Sequence, residues 1–192
     1  GPPVPPLNLV ADLGGGAMYL AVGVLAAVLE ARQSGRGQVV DVAMLDGITN
    51  QMSAFQAYRQ RGRWEDARGR NIVDGAAPYY GCYETADGRH VAVGAMEPPF
   101  YAALLALLGL DVATLPAQDD RSQWPAMRRR FAEVFRTRTR DDWVQAAAGR
   151  DACLAPVLSI DEAPGHDQMR ARDTYVDFDG VRPPAPAPRL SR

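Results

Sequence analysis

The 192-residue sequence predicts a mixed α/β protein in two parts, the tail of an α/β layered domain followed by a smaller α+β unit. Three observations predict it. A glycine triplet opens a long apolar helix pattern, and a short apolar strand pattern and a second helix pattern follow. A polar, irregular stretch over 62–77, rich in glycine and arginine, then interrupts the apolar periodicity. Beyond it, two strand patterns flank Ala86-Asp87-Gly88, a hairpin signal, and further helical patterns follow. The length allows one domain, or one and a half, with a real core.

The elements follow in order. Residues 1–7 are proline-rich and extended. Gly14-Gly15-Gly16 gives backbone freedom before a helix over about 16–33, apolar on nearly all sides and therefore expected to be buried. Ser34-Gly35-Arg36-Gly37 stops it. Gln38–Val42 reads as a short buried strand, and Met44, Ile48, Met52 and Phe55 lie at helical spacing within 43–61. After the hairpin, Pro98 and Pro99 start a helix to about 109, and a third helix spans 123–137. Its arginine face, Arg128–Arg130, reads as solvated. Thr139 or Arg140 precedes a helix with Asp141 and Asp142 in its first turn. Cys153–Leu158 is a strand, Ser159 and Glu162 form a capping box for a helix, and 174–178 is a last strand.

Composition excludes several classes. The 21 basic residues are all arginine and face 23 acidic ones, a formal charge of −2 that gives no polyanion-binding surface. Without lysine there is no Schiff-base or P-loop lysine chemistry. Two scattered cysteines and two histidines suggest no zinc site, and Cys82 and Cys153 read as buried, reduced thiols of a cytoplasmic protein. The longest apolar run, Ala17–Leu29, is 13 residues, which reads as too short to cross a bilayer, and no basic segment precedes it as in a signal peptide. The first residues look like the middle of a longer chain. Gly14–Gly16 lacks the spacing of a dinucleotide fingerprint.

Two carboxylates are candidates for acid/base chemistry. Asp12 lies between apolar neighbours at a glycine-rich turn, which suits a general base; the alternative is a helix cap. Asn8, four residues earlier, could orient it or serve only as a turn residue. Glu97 ends the apolar strand Val91–Met96 where a helix begins, an active-site position or a simple N-terminal acid. Met44, Met52 and Met96 could line a pliable acyl surface or fill a core. His90 and His166 sit in polar surroundings and do not read as bases.

Five separated strings carry a resemblance. They are Pro5–Gly16, Ser34–Asp41, Arg68–Gly75, Ala77–Tyr80 and Val93–Tyr101. With Asp151–Leu158 and Pro186–Ser191 they resemble the α-methylacyl-CoA racemases of the family III CoA-transferase (CaiB/BaiF) superfamily, in order along essentially the whole chain. The resemblance implies interconversion of (R)- and (S)-2-methylacyl-CoA thioesters through an enolate. It implies an isomerase of fatty acid metabolism that uses no cofactor, CoA being part of the substrate. It assigns one acid/base group to Asp12, assistance to Asn8, and support of a histidine base to Glu97. That histidine lies in a Gly-His-Asp segment before residue 1; Gly165-His166-Asp167 repeats the tripeptide in the wrong context. Met44, Met96 and Tyr80 fall to substrate binding. Pro99 and Ala76 depart from the usual Gln and Gly of the family.

On this resemblance, residues 1–60 belong to a large Rossmann-like α/β domain, 61–77 form a linker, 78–164 a small α+β domain and 165–192 a return segment. The family forms interlocked homodimers, so this chain is expected to expose apolar surface and associate. No nucleic acid, membrane or metal partner is expected. The rival readings are a CoA-transferase with Asp12 as nucleophile and an inactive fragment with an assembly role.

Overall fold

A computed structural model describes residues 4–191. The chain divides into two compact units, Gly1–Ala67 and Arg68–Arg192.

The first unit is helical. A π-helical segment, Leu9–Ala17, runs directly into α1, Met18–Ser34. The Leu13 N–H donates to the Asn8 carbonyl at 3.1 Å, the five-residue spacing of a π-turn. The helix therefore starts earlier than the sequence predicts, and the glycines lie inside it. Their use is close approach to α2, Met44–Gln51. A Cβ on Gly47 would fall 1.9 Å from the Gly15 carbonyl oxygen, and one on Gly15 would fall 2.9 Å from Ile48 Cγ1. Contact between the two helices outweighs the poor helix propensity of glycine. Gly35, at φ +73°, ends α1 as expected.

Four expectations for this unit fail. Residues 36–43 carry no regular structure and are not a strand, because no strand pairs with them among the described residues. Instead Val40 packs against α1 at Gly23, where a Cβ would meet Val40 Cγ1 at 2.9 Å. The second helix breaks at Met52 into α2 and α3, Ser53–Gln60, and the Ser53 hydroxyl donates to the Asn50 carbonyl at the break. Finally, no residue of α1 is buried, although its apolar sides suggest a core helix. The expectation from run length fails with it. The continuous helix Leu9–Ser34 spans 26 residues and is long and apolar enough to cross a membrane, because glycine and the preceding apolar segment extend the run.

The second unit has a three-stranded antiparallel sheet in the order β1-β2-β3: β1 is Tyr80–Glu84, β2 His90–Gly94 and β3 Leu154–Pro156. Tyr80 pairs with Gly94 and Val91 with Pro156. Gly88, at φ +73°, makes the predicted hairpin turn. Helices α4 (Pro98–Leu107), α5 (Trp124–Phe135) and α6 (Arg140–Ala147) close near their predicted bounds. Thr139 and Asp142 form a capping box at the start of α6.

The core gathers Tyr79, Tyr83, Leu104, Trp124, Phe131, Phe135 and Trp143. The Tyr83 ring stacks on Phe135 at 4.9 Å, and the Trp143 indole N–H donates to the Phe135 carbonyl at 2.8 Å. Arg128 leaves the solvated face predicted for it. Its Nη1 donates to the Ala77 carbonyl at 3.3 Å, and its guanidinium lies over Tyr83 at 5.2 Å. Arg140 is buried and donates through Nη1 to Glu162 at 3.0 Å and to the Val157 carbonyl at 3.2 Å.

Beyond β3 the chain is less regular than predicted. The Ser159–Glu162 capping box forms, but it opens a turn and a 3₁₀ segment, Ala163–Gly165, rather than a helix. Helix α7, Asp167–Ala171, follows, with the His166 ring nitrogen accepting the Gln168 N–H. Residues 174–178 make only isolated bridges, Tyr175 to Pro184 and Phe178 to Val181. The facing segment Pro183-Pro184 has no N–H to extend a ladder.

Candidate active site

The candidate residues fall into two groups, one in each unit. In the first unit Asp12 sits within the π-helical segment, exposed, rather than at a strand-to-helix turn. Asn8 is the residue before that segment, and its side chain makes no capping hydrogen bond. Asp12 therefore rides on a helix whose position is fixed from behind by the Gly15–Gly47 contact. Gly14 lies against the Gln51 amide, where a Cβ would meet Nε2 at 3.3 Å, and Gly16 lies against Met44, where it would meet Cγ at 3.0 Å. Met44 is half exposed at the start of α2.

In the second unit the strand β2 and the following residues hold the other group. Glu97 is the N-cap residue of α4, exposed, with its carbonyl accepting the Tyr101 N–H at 2.9 Å. Met96 is 39% exposed, and its carbonyl accepts the Gln118 side-chain N–H at 2.7 Å. The Tyr80 ring lies over Gly94, where a Cβ would meet Cε2 at 3.9 Å. Tyr80, Met96 and Glu97 thus cluster around one end of the β1–β2 pair.

Both cysteines are free and exposed, not buried as the sequence reading has it. Cys82 alternates outward on β1. Cys153, at φ +47°, precedes β3, and its carbonyl accepts the Gly94 N–H at 3.0 Å. Partial burial and the nearby charges of Glu97 and Asp151 push its thiol pKa up, which disfavours a nucleophilic thiolate. Sequence spacing gives no hint that Cys153 lies close to Glu97; the pairing of β2 with β3 brings them together. His90 is exposed on β2, as expected. Among the described residues no group of three or more His, Cys, Asp or Glu could hold a metal ion.

The family model for CoA-transferase family III matches residues 1–191. Over 191 residues the chain is 46% identical to the alpha-methylacyl-CoA racemase of Mus musculus, covering 99% of this chain and 50% of that protein. Over 189 residues it is 40% identical to the alpha-methylacyl-CoA racemase of Homo sapiens, covering 98% of this chain and 50% of that protein. The chain spans about half the length of the curated relatives it matches. A solved structure of a CAIB/BAIF family protein from Brucella suis is similar to it with a TM-score of 0.73 and 20% identity, covering 99% of this chain and 50% of that one. At that identity the likeness speaks to the fold alone. With one family model spanning the described residues and the fold agreeing, the chain belongs to CoA-transferase family III.

Proposed function

We propose that this chain is part of an enzyme that inverts the α-carbon of 2-methylacyl-CoA thioesters, an isomerase of fatty acid metabolism. The observation that carries the reading is the 46% identity to a protein named alpha-methylacyl-CoA racemase across 99% of the chain. A thioester carbonyl acidifies the adjacent C–H, so a base can remove the α-proton to give an enolate and an acid can return a proton to the opposite face. Two groups on opposite faces suffice, and no cofactor is needed.

Asp12 serves one face, with Asn8 assisting it. The other face is served by a histidine outside these 192 residues, which Glu97 supports by hydrogen bonding. Met44, Met96 and Tyr80 contact the acyl chain. The exposure of both Met96 and Met44 favours a contact surface over core filling. In this reading the apolar helix Leu9–Ser34 is an interior helix of the complete fold, since solved structures of twice the length share the fold of this chain. The enzyme is a cytoplasmic homodimer.

The test is deuterium exchange. The full-length protein should wash the α-proton of a 2-methylacyl-CoA into D2O, and Asp12→Asn should slow that exchange by about 100-fold or more. Unchanged exchange removes Asp12 from the mechanism. Trapping of an acyl adduct on Asp12 with hydroxylamine would instead establish the CoA-transferase reading. The 192-residue fragment alone should be inactive; measurable racemisation by it would place the second base inside this chain.

A further inference from the structure

Asp74 lies outside the acid/base set and accepts hydrogen bonds from five groups. It ends the 3₁₀ turn Ile72–Asp74. Its carboxylate accepts the backbone N–H groups of Gly69 at 3.0 Å, Arg70 at 3.1 Å, Asn71 at 2.8 Å and Ala76 at 3.3 Å. The fifth donor is the Asn71 side-chain amide, at 2.9 Å. Asn71 is buried, and the two residues form a reciprocal capping box. Burial disfavours the charge on Asp74, but the Asn71 amide and the backbone N–H groups outweigh it and hold the carboxyl below its ordinary range. Gly75, at φ +92°, lets the chain fold back so that Ala76 reaches the same carboxylate.

The loop so closed leads directly into β1. Ala77, Pro78 and Tyr79 are buried, and the Tyr79 carbonyl accepts the Ala95 N–H at 3.0 Å. The Ala77 carbonyl accepts the Tyr80 N–H at 3.2 Å. From there the Tyr80 ring reaches over Gly94, two residues before Met96 and three before Glu97. Val73, within the turn that Asp74 ends, keeps 39% of its surface exposed.

We propose that Asp74 is a positioning residue: its carboxylate fixes the 69–76 loop and thereby holds Tyr80 over Gly94 as an apolar ledge beside Met96 and Glu97, on which the acyl chain of the substrate rests. The proposal rests on the racemase reading. A carboxylate suits the hub because it only accepts, and all five groups, on four residues, donate. An asparagine there would turn its own N–H groups toward donors.

The experiment uses the full-length protein and two probes, a long-chain 2-methylacyl-CoA and 2-methylbutanoyl-CoA. Asp74→Asn should raise KM for the long chain about tenfold, leave kcat within about twofold, and barely move KM for the short chain. Without substrate, the amides of residues 69–71 and 76 should exchange with solvent about tenfold faster. Asp74→Glu, which keeps the charge, should recover part of both effects. Asn71→Ala removes the side-chain donor and should act in the same direction if Asp74→Asn fails to fold. A fall in kcat with KM unchanged, an equal effect on both chain lengths, or unchanged amide exchange would overturn the proposal. A wild type that exchanges no α-proton overturns the racemase reading and the acyl ledge with it, while amide exchange still decides whether Asp74 orders the loop.

Discussion

The two units differ in what they bury. Among the described residues of the first unit, only Gly15 and Gly47 are buried, and they bury each other. The second unit buries seventeen hydrophobic residues in one cluster with four aromatic edge or stacking contacts around Tyr79, Tyr83, Phe135 and Trp143. Apolar content does not explain the contrast, since α1 is among the most apolar segments of the chain. A core requires a second layer facing the first. The sheet supplies that layer for α4, α5 and α6, and no sheet faces α1 among the described residues of the first unit.

Dissection should separate the two most sharply. Residues 68–192 expressed alone should unfold in one cooperative transition, and residues 1–67 alone should show none. A monomeric 1–67 with a sharp melt would break the comparison. Next in size is truncation of the core. Phe135→Ala should cost about 3–5 kcal/mol by denaturant titration, and Leu25→Ala in the exposed helix should stay within about 0.5 kcal/mol in this chain. Equal costs would show that α1 is covered in solution.

Gly47→Ala is smaller and local to the first unit. Its Cβ meets backbone, which cannot swing aside as a side chain can, so the π-helical segment and α2 must separate at a cost of about 1–3 kcal/mol. Circular dichroism of the 192-residue chain should report it, and a neutral result would sink the proposed seam. The smallest effect belongs to Glu162. Its hydrogen bond from Arg140, aided by the Ser159 N–H, lowers its pKa to about 2. An unfolded glutamate titrates near 4.3. The stabilisation is therefore fully present above that value and is lost as the pH falls toward about 2. Glu162→Gln should flatten the stability curve across that window and nowhere else.

Local chemistry made much of the second unit legible. The Asp-Gly turn, the proline pair before α4 and the acids Asp141 and Asp142 in the first turn of α6 each act within a few residues, and each places its element correctly. The Gln38–Val42 strand failed because a strand is a statement about a partner, and no strand pairs with it among the described residues. Burial of α1 and of the two cysteines failed for the same reason: apolarity is local, but coverage is not. At the candidate site, Glu97 stands at the element boundary its sequence surroundings predict, as the N-cap residue of α4, whereas Asp12 lies inside the π-helical segment and not at a strand-to-helix turn. The five-donor hub at Asp74 could not be picked out from the sequence. It depends on a loop closing on itself, and no periodicity encodes that.

The mount beneath Asp12 has a consequence for reach. Aspartate is among the shortest of the ionisable side chains, with two rotatable bonds between backbone and oxygens. Here its backbone belongs to a helix pressed against another at a contact that admits no added methyl group. Such a carboxylate sweeps a small volume and cannot follow a wandering target. On the racemase reading proposed above, the carbon that exchanges a proton with Asp12 must be delivered to it, so accuracy at this position would fall to the surfaces that grip the rest of the substrate.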